Sequence, residues 1–97
     1  MFPKNIRVGR RKYAVHVGPA NRFPSALGYI DYTPSDIYIH TVKKDGQAVS
    51  EKVMQETFWH ELTHAILHEM DHPLFRSEVF VTQFAKLLSQ AINSARF

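Results

Sequence analysis

Hydrophobic and polar positions alternate in two separate stretches near the start of the chain and then give way to helical spacing. Ile6 and Val8, then Tyr13, Val15 and Val17, alternate with polar or small residues on either side of Gly9-Arg10-Arg11-Lys12. This is the period-2 pattern of a half-buried hairpin. Gly18 to Ser25 carries the Gly, Pro and Asn punctuation of a loop. A second alternating pair, Leu27 to Tyr32 and Asp36 to Thr41, is joined through Thr33-Pro34-Ser35, which supplies turn chemistry.

After the polar loop 43–47, the spacing predicts a helix capped by Ser50, with Glu51 in the first turn, where the macrodipole favours an acid. Its apolar residues (Val53, Met54, Phe58, Trp59, Leu62, Ala65, Ile66, Leu67) fall on more than one side, as in a central, largely buried helix. It should run to about Met70, where Asp71-His72-Pro73 ends it, because proline disfavours helical geometry in the residue before it. A final helix from about Ser77 to Ser94 carries the stripe Glu78, Val81, Ala85, Leu88, Ile92 and a second one, Phe80, Phe84, Leu87, Ala91. The expected fold is α+β, one domain over residues 1–97, with a small antiparallel sheet of three to four strands packed on the central and C-terminal helices.

Composition narrows the chemistry. The chain of 97 residues has room for one modest core and contains no cysteine, which excludes disulfides, thiolate metal sites and thiol catalysis and leaves histidine and carboxylate as metal ligands. No apolar run approaches the ~20 residues that span a bilayer, and the first residues lack the apolar core of a signal peptide, so a cytoplasmic protein without membrane contact is expected. The net charge of +3 hides an asymmetry, with +6 over residues 1–30 and −3 over the remainder. The basic third is either a solvated hairpin or a surface for nucleic acid or an acidic partner.

The helix centred on Phe58 to Ala65 contains His60-Glu61-Leu62-Thr63-His64, the HExxH spacing. Four residues on a helix place two imidazoles on one face, one turn apart, where both can bind one ion. Glu61 is rotated away from that pair, so it can hydrogen-bond a water on the metal rather than bind the metal itself. A catalytic zinc takes three protein ligands and keeps one open position. Glu78 is the best third ligand, since it falls on the core-facing stripe of the second helix, where an uncompensated carboxylate costs several kcal/mol. The alternative is that Glu78 merely opens that helix, where an acid is favoured. His68 lies about 12 Å along the axis from His60 and cannot easily share its ion, which leaves it beside the site or in the core. Asp71 and His72 are weaker ligand alternatives. His16 and His40 read as strand residues, although Tyr38 and His40 share a strand face and either could stabilise an oxyanion if that face borders the metal.

The order of Gly28 to Asp31, an Ile-Tyr-Ile strand, His60 to His68 in the form HELTHAILH, and a helix opening with Glu78-Val79-Phe80-Val81 resembles the ImmA/IrrE-like and minimal gluzincin metallopeptidases over about residues 27–92. The resemblance implies one zinc ion held by His60, His64 and Glu78, with Glu61 as general base. It also implies a peptide or protein substrate paired along an edge strand near Ile37 to His40, and a setting in phages or mobile elements where relatives cut regulatory proteins. Thr82 stands where many gluzincins carry an aspartate that orients a histidine. Two other readings remain at this point: a zinc-stapled module without catalysis that binds nucleic acid or protein through its basic hairpin, and a structural protein without metal.

Overall fold

The computed structural model describes residues 2–20, 22–23 and 26–97; Asn21, Pro24 and Ser25 of the expected loop lie outside the described residues. Two hairpins form where the alternation placed them. The first joins β1 (Asn5–Val8) to β2 (Arg11–Gly18), antiparallel, with Val8 opposite Arg11. The turn is therefore only Gly9 and Arg10, shorter than the four residues expected, and Gly9 takes the left-handed φ of 60° that such a tight reversal needs. The second joins β3 (Gly28–Asp31) to β4 (Asp36–His40), also antiparallel.

The sheet that they build is mixed, which corrects the antiparallel expectation. Its order is β1-β2-β4-β3, and β2 runs parallel to β4, with Val15 opposite Ile37 and Val17 opposite Ile39. The reason lies in burial. Ile37 and Ile39 are fully buried, whereas the same face of β3 offers only Gly28 and Ile30, so β4 takes the interior place over the helix and β3 the edge. The edge strand expected near Ile37 to His40 is thus an interior strand, and the edges are β1 and β3.

One face of this sheet is covered by α1 (Glu51–Glu69), capped by the Ser50 side chain, which accepts from the Val53 N–H. Phe58, Leu62 and Ala65 meet Tyr13, Ile37 and Ile39 in the core. The helix also carries α2 (Glu78–Ser94) on its other side, which explains why its apolar residues surround it. Thr57 and Thr63, both buried, return their hydroxyls to the carbonyls of Val53 and Trp59 at 2.8 Å and 2.7 Å, so neither hydroxyl is left unpaired. Ile66 lies outside this enclosure and is exposed.

The end of α1 is a Schellman turn. Asp71 takes a left-handed φ of 53°, its N–H bonds the His68 carbonyl, and the His72 N–H bonds the Leu67 carbonyl. Pro73 follows the stop. In α2, Val81, Ala85 and Ser89 are buried, while Ile92 of the expected core stripe is exposed, as are Phe84 and Leu87 of the second stripe. Among the described residues no helix is long and apolar enough to cross a membrane.

Candidate metal site

The reversal between the helices brings the first turn of α2 over the middle of α1. His60 and His64 project from successive turns, with ring centroids 5.0 Å apart. Glu78 reaches both: one carboxylate oxygen lies 3.1 Å from His60 Nε2 and the other 2.8 Å from His64 Nε2. One ligand atom from each residue lies within 4.8 Å of the others, a group that can hold a metal ion. The third position is not buried as the core-stripe argument expected. The Glu78 side chain is 68 % exposed whereas that of His64 is 9 % exposed, so the carboxylate closes the group from the solvent side.

The orientation of His64 follows from its other nitrogen. Nδ1 lies 2.7 Å from the Phe75 carbonyl oxygen, which can only accept, so Nδ1 carries a hydrogen and Nε2 presents its lone pair to the ligand group. Main-chain support of this kind serves where Thr82 leaves no carboxylate to do it. Burial pushes the His60 imidazole below its ordinary 6.5, against an upward pull from Glu78, which favours the neutral form that binds metal.

Glu61 is buried between the imidazole-bearing turns, and its carboxyl is pushed up to about 8, first by desolvation and second by the charge of Glu78. It lines the same cavity as the three ligands, an open trough of about 1030 Å³. One wall is the free edge of the sheet, Gly28 to Ile30. Gly28 is required there, because a Cβ would stand 2.5 Å from the Tyr38 carbonyl oxygen and 2.6 Å from a Thr57 methyl group.

Tyr38 and His40 do not line this trough. By strand alternation they face away from Ile37 and Ile39, on the sheet face opposite α1. Tyr38 stacks between His16 and Tyr29 at 4.6 Å and 4.4 Å, and His40 donates from Nδ1 to the Ala26 carbonyl at 2.6 Å. Two other tyrosines line the trough: Tyr29, which stacks with Tyr38, and Tyr32, which shares the inward face with Gly28 and Ile30 by the same alternation. The Tyr32 ring stacks on His68 at 4.0 Å and meets Phe75 edge-on. Burial and then the charge of Glu61 push its hydroxyl up to about 12, so it remains a donor. His68 is accordingly a packing partner beside the site; Asp71 and His72 belong to the helix stop, where His72 Nδ1 accepts from the Leu74 N–H.

The basic third of the chain is partly used inside the fold. Arg11 pairs with Glu69 at 2.7 Å and donates to the Tyr32 carbonyl at 2.6 Å, and Arg22 pairs with Asp31 at 2.8 Å. Comparison with protein-family models, with curated proteins and with solved structures finds no match to this chain.

Proposed function

We propose that the chain is a zinc-dependent metallo-endopeptidase acting on an extended segment of a protein, in keeping with its resemblance to the minimal gluzincins. The observation that carries this reading is the convergence of His60, His64 and Glu78 within 4.8 Å beside a buried, proton-holding Glu61, all lining a trough with a free strand edge as its wall. The donor set fits zinc: two imidazole nitrogens and one carboxylate oxygen, without thiolate, are the ligands of open catalytic sites. When bound, zinc acidifies a water to a pKa of about 7 and polarises the carbonyl to be attacked.

The remaining work falls to the chain's own groups. Glu61 accepts the proton that the attacking water loses and returns it to the departing amine nitrogen, so that the peptide bond breaks without a charged leaving group. With an ion held by His60, His64 and Glu78, the Glu61 carboxyl would be drawn down from about 8 toward the ionised form that a base requires. Tyr32 donates a hydrogen bond to the oxygen on which negative charge develops, the role first considered for Tyr38 and His40. The substrate backbone pairs with β3, the edge that borders the site, rather than with β4.

Replacing Glu61 with Gln tests the assignment. Metal content should stay at one ion per chain while turnover of a cleaved protein falls at least ~100-fold. Undiminished turnover would reject Glu61 as the base.

A further inference from the structure

Three charged side chains line the trough beyond Glu61 and the ligand group: Glu56, Arg76 and Lys86. Glu56 lines it one helical turn before His60. Phe75 accepts from His64 Nδ1 at 2.7 Å and its ring lies 5.4 Å from that of His68, and the next residue is Arg76. The Arg76 guanidinium sits 5.1 Å from the centre of the Phe75 ring. Its segment is held from both sides, through the His64 bond to Phe75 and through Glu78 on the imidazoles, and the Ser77 N–H closes a turn onto the Leu74 carbonyl. Arg11 and Arg22 each have a carboxylate at 2.7 Å and 2.8 Å; among the described residues Arg76 has none within ion-pair distance.

From this arrangement we infer that Arg76 determines specificity, selecting peptides with a carboxylate side chain one or two residues from the bond that lies over His60, His64 and Glu78. The inference rests on the peptidase reading and names its substrate class. An extended chain advances about 3.3 Å per residue, and Arg76 lines the same trough as His60, His64 and Glu78, so the first or second side chain beside the scissile bond is the one placed to meet it. The planar fork of arginine matches a carboxylate with two parallel hydrogen bonds. The Phe75 ring below it fixes the cation in place without neutralising it.

Peptidyl hydroxamates, which anchor through a bound metal, test this without turnover. Compounds with Glu, Gln or Lys as the first or second residue from the hydroxamate are titrated into the zinc-loaded protein by calorimetry. Glu should bind roughly 3- to 10-fold more tightly than Gln at one of the two positions, and Lys more weakly than Gln. Arg76→Gln should abolish the Glu preference, and Arg76→Glu should reverse it in favour of Lys. Equal affinities for the three compounds, or an Arg76→Glu variant that weakens all three alike, would overturn the inference while leaving the metal-site reading standing. Failure of every hydroxamate to bind would overturn that reading and this inference with it.

Discussion

Glu61, the proposed general base, is a buried carboxyl that carries a cost to folding. In the metal-free chain its carboxyl titrates near 8, against 4.5 when unfolded, chiefly because burial penalises the charge. The contribution of this group to stability is therefore complete below pH 4.5 and is lost as pH rises through 8. His60 acts in the opposite sense: its imidazole is pushed below 6.5 by burial, so its contribution holds above 6.5 and is lost as pH falls through its lowered value. Glu61→Gln removes the first effect and leaves the second. In chelator the Gln variant should melt roughly 5–10 °C above the parent at pH 8, with the gap closing toward pH 5; a gap independent of pH would show that Glu61 is not desolvated. Residues of this kind were legible because HExxH is local, a helix spacing that needs no tertiary knowledge. Tyr32 was legible in principle, two positions beyond Ile30 on the same strand face, but its place depended on the chain past the end of β3 continuing along the site.

At the scale of elements, both helices follow from their caps. Ser50 and Ser77 each accept from an N–H three residues on, and Asp71 ends α1. The strand order was not legible, because either strand of the second hairpin could pair with β2, and the choice rests on how much apolar surface each buries. Exposure of Glu78 was equally hidden: its stripe holds the buried Val81 and Ala85, but at the first turn α2 has not yet reached full contact with α1. Two substitutions probe these elements. Gly28→Ala forces a Cβ against the Tyr38 carbonyl and Thr57, and should cost about 1–3 kcal/mol in urea denaturation by parting β3 from α1. Asp71→Gly should stabilise by about 0.5–1 kcal/mol, since glycine adopts a φ of 53° freely and removes an acid from a helix C-terminus.

The described residues form one sheet with the helices on one side of it, and the His60, His64 and Glu78 group sits where the helical hairpin meets the sheet edge. Three ligands from two helices mean that an ion bound there ties α2 to α1 in the folded state alone. An ion present at 100 times its dissociation constant adds about 2.7 kcal/mol, a large share of the stability a domain of this size can have. The basic hairpin contributes to the same assembly, as Arg11 joins the end of α1 to the turn after β3 through Glu69 and Tyr32. The most direct measurement is the metal content of protein purified without chelator, compared between the parent chain and His64→Ala. One zinc per chain in the parent and essentially none in the variant is the predicted result; a parent without metal, or a variant that retains it undiminished, would contradict the account.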